Sequence, residues 1–480
     1  MPAKRSLTLA LALLLVAAMP ARAAGFPAIT VVDTIRPGPD GSNALWTSGR
    51  LGDHLYFNAD DGATGYELWR TNGTVTTRLR DINSGPANAE PNGFTALGDW
   101  LYFTANDGTT GHELWRTNGT ITNQVFDIYS GAEGSFPNNL TTFGDWLYFT
   151  SSNAANGQEL WRTNGSSTEI VEDINGIGSF GSDPSGFSAL GEWLYFSADD
   201  GSNGYELWRT NGTSTNLVFD INPIGDSSPN YFAALGEWLY FSAGDGASGF
   251  ELWRTNGTST ARVSAVSYPS ELTTFGEYVY FRADDGTTGY ELWRTNGTTT
   301  ARVADINPSG ADSSNPSGFT PFGDWLYFTA VDSTFGFELW RTNGNSTARV
   351  ADINQGVEDS APRGFTALGD YLYFAADDGT GVPKFWRVSS QGLIESAVLS
   401  GTNSFIGCLC ENPIIALDGR LFSILSTSET GSEFAYLDEP TFVLPETNRD
   451  GSVWSTALVL LAAVTAAAGL TVRMPEAKRR

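Results

Sequence analysis

The chain has little of what most active sites are made from. Its 480 residues include two histidines, two cysteines and three methionines. No HExxH, P-loop, GxSxG or paired CxxC pattern occurs, so the common zinc, nucleotide and acyl-transfer chemistries have no sequence support. The cysteines, Cys408 and Cys410, sit two residues apart, where a strand would put both on one face and a bridge would strain the backbone. A disulfide framework is excluded, and a lone C-x-C pair is a weak metal signal. Basic residues are scarce as well. Lys and Arg number 27 against 54 Asp and Glu, a net charge of -27 that argues against nucleic acid as a partner and favours solubility. Hydrophobic residues make up 41% and aromatics 13%, enough for a large core and too much for a disordered chain.

Long apolar runs are confined to the two ends. Lys4 and Arg5 precede Leu7–Met19, and Ala21-Arg22-Ala23 follows as a small-x-small cleavage site, so residues 1–23 read as a signal peptide. Val453–Val472 is 20 residues without a charge, followed by Arg473, Lys478, Arg479 and Arg480. That reads as a transmembrane helix with a basic cytoplasmic tail (473–480), the bulk of the chain lying outside.

Between these ends a unit repeats. Aligned on Leu51, Leu97, Phe143, Leu190, Leu235, Phe275, Phe322 and Leu368, the spacings are 46, 46, 47, 45, 40, 47 and 46 residues, and a worn ninth copy begins near Leu417. ELWRTNG recurs seven times, first at Glu67–Gly73. One unit, Asn315–Ile353, reads as four short strands: GFTPF, DWLYFTA, FELWRT and TARVADI. Asn-Gly favours a tight hairpin between the last two. In DWLYF, Trp325 and Tyr327 face one way, Leu326 and Phe328 the other, so both faces of the sheet are apolar and need cover. Four-stranded sheets stacked around an axis meet that need. The expected fold is therefore an all-β propeller over residues 29–444 with nine blades, or alternatively eight. Ile29–Ile35 resembles a fourth strand and would complete the last blade and close the ring. Each Trp of ELW is expected to pack on the next blade, at about 2–3 kcal/mol apiece. The repeated Glu67, Glu113, Glu159, Glu206, Glu251, Glu291 and Glu338 are expected to pair with arginines of neighbouring blades.

Asp284–Thr298, DDGTTGYELWRTNGT, with Ala304-Asp305-Ile306 as the last strand, resembles the ELWxxDGT repeats of large secreted bacterial proteins. Asn stands where that family usually has Asp in the turn. The resemblance covers residues 51–390 and implies a repeat fold on an exported protein, with no established activity. Leu444-Pro445-Glu446-Thr447-Asn448 precedes the apolar span and resembles C-terminal sorting signals of the sortase or exosortase type. Asn448 departs from the expected Gly, which favours a plain membrane anchor; residues 445–452 form the linker. Asn72-Gly73-Thr74 and Asn118-Gly119-Thr120 match the glycosylation pattern, but the turn accounts for them and a bacterial source argues against modification.

If Ile29–Ile35 closes the ring, the loops after DWLYF and after VADI share one rim. The first type holds eleven carboxylates: Asp60, Asp61, Asp107, Asp199, Asp200, Asp245, Asp284, Asp285, Asp332, Asp377 and Asp378. One rim should be strongly negative and the other near neutral. The paired carboxylates Asp60, Asp61, Asp199, Asp200, Asp284, Asp285, Asp377 and Asp378 are the candidate calcium ligands, since hard cations take oxygen donors from such loops. No loop has the full EF-hand spacing. His54 and His112 replace a Trp and a Tyr of the repeat and read as tolerated substitutions rather than ligands. The expected function is a membrane-anchored binding, adhesion or scaffold module at the cell surface, without catalysis, its ligand a protein or a glycan. The alternative is a glycosidase-like surface hydrolase using carboxylates in the channel.

Overall fold

The computed structural model describes residues 29–31, 35–36, 40–42, 45–308, 312–381, 383–397, 414–417, 420–427, 431–437 and 442–443. The expected signal peptide, Cys408 and Cys410, the linker, the apolar span and the basic tail lie outside them. Among the described residues there is no helix, and so none long and apolar enough to cross a membrane. Their strands form nine sheets, eight of four strands and one of five.

Each unit is an antiparallel meander. In the second, Asn92–Leu97, Trp100–Asn106, His112–Thr117 and Thr122–Phe126 pair in chain order. The first strands of successive sheets touch one another from the first unit to the ninth. The ninth sheet takes a strand from the other end of the chain: Ile29–Val31 pairs antiparallel with Gly431–Leu437, placing Thr30 opposite Tyr436. Phe442–Val443 adds the fifth strand to the eighth sheet, antiparallel to Ile394–Ala397.

Apolar side chains on both faces drive the stacking. Leu147, Phe149 and Trp161 of the third sheet pack against Tyr102 and Leu114 of the second, all at most 7% exposed. The Trp of ELW therefore covers the preceding sheet, not the following one as expected. Glu159 and Trp161 share a strand face, but alternation does not say which neighbouring sheet that face meets.

Asn-Gly makes the hairpin it promised. Asn118 Oδ1 accepts the N–H groups of Thr120 and Ile121, Thr117 Oγ1 accepts that of Gly119, and Gly119 has φ +84°. The turn also locks neighbouring sheets. Arg70 donates Nη1 to Gly119 O at 2.8 Å, and Arg116 does the same to Gly165 O at 2.9 Å. From the second unit on, the repeated arginine lies on an aromatic of its own sheet, for example Arg116 over Trp100 at 4.2 Å and Arg254 over Trp238 at 4.1 Å. Arg70 and Arg116 thus serve the next unit's turn, whereas Arg162 and Arg387 bond Glu169 and Glu395 of their own sheets. Among the described residues, the expected pairing of the repeated glutamates with arginines of neighbouring sheets does not occur; Glu251 meets an arginine, but one of its own sheet, as described below.

The fourth strands are shorter than the TARVADI reading, spanning Thr300–Ala304 in one unit and Thr347–Arg349 in the next. The register shifts between Leu292 and Trp293, and the end of the segment leaves the ladder because its N–H groups are bonded elsewhere.

Candidate functional site

The Asp-Gly loops and the connections between sheets lie side by side on one rim. The connection into the second unit is stitched to the first by Ala89 N–H and Glu90 N–H, both donating to Tyr66 O. Asn106 N–H, at the end of a strand of the second unit, donates to Ala89 O. The same pattern recurs around Ser135, Ser227, Ser314 and Ser360.

The repeated glutamate organises these connections from below. Glu113, fully buried, accepts the N–H of Ile128 at 3.1 Å, of Tyr129 at 3.3 Å and of Ser135 at 2.9 Å, and the Ser135 hydroxyl at 2.6 Å. Glu206 repeats the set with Ile221, Asn222 and Ser227. Burial drives these carboxyls upward against the pull of their hydrogen bonds, to about 7 in Glu67, Glu159 and Glu338. Neighbouring Asp81, Asp173 and Asp352 push the same way. In the unit before the short 40-residue step the connection is cut, Ser264 and Ser267 being separated by two residues. There Glu251 accepts from Arg262 of its own sheet at 2.8 Å.

Each buried serine begins a three-residue motif that the repeat hides. A small residue, buried in every copy except at Ser267, is followed by an outward residue at positive φ and then a buried proline, Pro91, Pro137, Pro184, Pro229, Pro269, Pro316 or Pro362. The middle residue is Glu90, Phe136, Asp183, Ser228, Tyr268, Asn315 or Ala361, with φ between 43° and 52°. Positive φ is uncommon outside glycine, and a following proline constrains the backbone further; such conformations cost about 1–3 kcal/mol each. Phe136 is 59% exposed and Tyr268 54%. His112 stacks on Phe136 with ring centroids 5.4 Å apart and lies 3.8 Å from Glu90, while Tyr205 donates to Asp183 at 3.2 Å. Ile224, Phe180, Val357 and Ile177 add exposed apolar side chains on the same connections. Sequence reading missed these positions. The signal was there: the prolines recur at 46, 47, 45, 40, 47 and 46 residues, the repeat's own spacing.

In the second to eighth units a bulge follows inside the first strand, again at positive φ, filled by Gly93, Gly186, Gly318 and Gly364 but by Asn139, Tyr231 and Glu271 in three units. The first strands of the first four units and Ile415 of the ninth line a cleft of about 650 Å³. Its polar lining is Thr47, Ser48, Arg50, Thr95, Asn138, Asn139 and Thr141. No carboxylate is among the described lining residues.

The calcium candidates fall in four separate loops. Asp60, Asp199, Asp284 and Asp377 each accept the N–H of the following loop glycine through Oδ1. Asp61, Asp200 and Asp285 each accept two loop N–H groups at 2.8–2.9 Å. Asp378 pairs with Lys384, and Asp60 with Arg36. The Thr287 hydroxyl, with the loop N–H groups, holds Asp285 down to about 2 against the opposing effect of burial. Among the described residues, no three His, Cys, Asp or Glu side chains gather in a metal-binding arrangement. His54 bonds Asp53 at 2.7 Å on the opposite rim. That rim carries Asp53, Asp99, Asp145, Glu192, Glu237, Glu277, Asp324 and Asp370 at its turn tips, all exposed. Arg70, Arg116, Arg162, Arg209, Arg254, Arg294, Arg341 and Arg387 match them one for one.

No protein-family model matches the chain, and no curated protein matches it. Solved structures resemble it at low identity. The computationally designed Ika8 protein is 14% identical, with 74% of this chain and 99% of that one covered and a TM-score of 0.42. One of two prolyl endopeptidases studied for inter-domain dynamics is 13% identical, with 75% and 56% covered and a TM-score of 0.40. A puromycin-hydrolyzing peptidase of Mycobacterium tuberculosis is 11% identical, with 71% and 58% covered and a TM-score of 0.38. The chain spans little more than half the length of the two peptidases.

Proposed function

We propose that this chain is an exported, membrane-tethered propeller of nine blades that binds a protein or glycan on its loop rim and catalyses nothing. The observation that carries the reading is the contrast within each repeat. Residues that build the sheet, the hairpin and the glutamate staple are near-identical from unit to unit. The outward residue held at positive φ changes its chemistry every time, through Glu90, Phe136, Asp183, Ser228, Tyr268, Asn315 and Ala361. A fixed frame presenting a varied set of side chains is what a recognition surface requires. The leader-like start and the charge-free span Val453–Val472 support export and tethering. Closure is supported by the pairing of Ile29–Val31 with the ninth sheet and by Ile415 lining one cleft with the first four units.

Hydrolysis is the rival. The repeated glutamates are buried under their own connections and reach no substrate, and the described cleft lining offers no pair of carboxylates. Screening the protein against glycan and peptide arrays, with and without calcium, separates the readings. Binding without turnover is expected. The F136A/Y268A variant should weaken a hit at least about tenfold. Its stability should stay within about 0.5 kcal/mol of the parent, since both rings are exposed. Reproducible turnover of any array member overturns the proposal.

A further inference from the structure

The hairpin-turn rim shows a local departure from the repeat. The residue closing each turn accepts the N–H at its start: Val75 from Asn72, Ile121 from Asn118, Ser167 from Asn164 and Leu393 from Ser389. Five units carry serine or threonine at this place, Ser167, Ser214, Ser259, Thr299 and Ser346. The other three carry Val75, Ile121 and Leu393, exposed by 57%, 55% and 59%. These three belong to the eighth, first and second units; in a closed ring the eighth and first flank the ninth and the second follows the first.

The chain's exit points to the same place. Fourth strands run from the turn rim to the loop rim, and Phe442–Val443 runs antiparallel to one of them, with Ser396 opposite Val443 and Ala397 opposite Phe442. At Val443 the chain therefore heads for the turn rim, on the eighth unit. Nine residues, 444–452, separate it from the apolar span and reach at most about 30 Å. Doubling back along a sheet roughly 20 Å tall would consume most of that length. Charge agrees: acidic and basic side chains balance on the turn rim, whereas the loop rim carries excess carboxylates that an anionic bilayer surface repels.

We propose that the turn rim rests on the lipid bilayer along the arc of Leu393, Val75 and Ile121, so that the varied loop rim faces away from the membrane. This rests on the reading of Val453–Val472 as an anchor. The test uses the full chain with Cys408→Ser and Cys410→Ser, reconstituted into phosphatidylcholine vesicles containing nitroxide-labelled lipid. A fluorophore is attached in turn at V75C, I121C, L393C, S214C and S202C, the last lying in an Asp-Gly loop. Quenching at positions 75, 121 and 393 should exceed that at 202 by roughly threefold or more, with 214 between them, as expected for side chains at the headgroup boundary. Equal quenching at all five sites, or stronger quenching at 202, overturns the orientation. Flotation of the same samples tells the two readings apart: a chain that fails to float with vesicles has no working anchor and removes both, whereas one that floats with uniform quenching removes the orientation alone.

Discussion

Glycine has two different jobs in one repeat, and they separate by what surrounds it. At Gly119, φ is +84° and an added Cβ would lie 2.7 Å from Tyr56 Oη and 2.8 Å from Arg70 Nη1 of the preceding sheet. At Gly98, φ is +57° and the space is empty. Gly119→Ala meets both the left-handed backbone and the arginine latch, and should cost about 2–4 kcal/mol; Gly98→Ala meets the backbone alone, about 1 kcal/mol. Chemical denaturation midpoints of the two variants check the difference, and equal losses would mean that the latch contributes nothing. The turn itself was legible in the sequence because Asn-Gly states a local backbone requirement. The latch was not, because Arg70 and Gly119 are 49 positions apart and the repeated glutamates of neighbouring units offered a more obvious charge partner. The Trp direction failed for a related reason: strand alternation says which residues share a face but not which neighbour that face meets.

At the scale of the element, the connection between sheets is held by one buried carboxyl. Burial raises Glu67, Glu159 and Glu338 to about 7, above their value near 4.5 in an unfolded chain. The folded state therefore holds protons that the unfolded state has released between these two values. The stabilisation is fully present below about 4.5 and is lost as the pH rises through 7. Asp285 works in the other direction, its contribution disappearing as the pH falls from the ordinary 3.8 towards 2. Thermal stability should accordingly be higher at pH 5 than at pH 8, and Glu159→Gln should flatten part of that slope. Melting curves across this range check it; a maximum above pH 8 contradicts the staple. The sequence showed that these glutamates were structural because they were plural. Most of their donors are backbone N–H groups of a connection 15 to 23 positions ahead, which no pattern of side chains announces. The outward residues before the prolines were overlooked because variation at one position reads as noise until the backbone shows it is held.

On the scale of the whole molecule, nine sheets bury both faces only if each finds a neighbour on either side. Both-sided apolar strands and a 46-residue period made the layered all-β architecture readable from the sequence. So was the donation of the first strand to the last sheet, since the worn ninth unit lacked a fourth strand of its own. Ile29–Val31 pairs there with Ala435–Leu437. The direction of exit at Val443 was not readable, because it depends on a two-residue pairing at the edge of another sheet. The clasp is where the account is most exposed. Thr30 and Tyr436 stand opposite each other, so T30C/Y436C in the background lacking Cys408 and Cys410 should form an intramolecular disulfide under mild oxidation and raise the melting temperature. Failure to cross-link within one chain, or cross-linking only between chains, would contradict a closed ring.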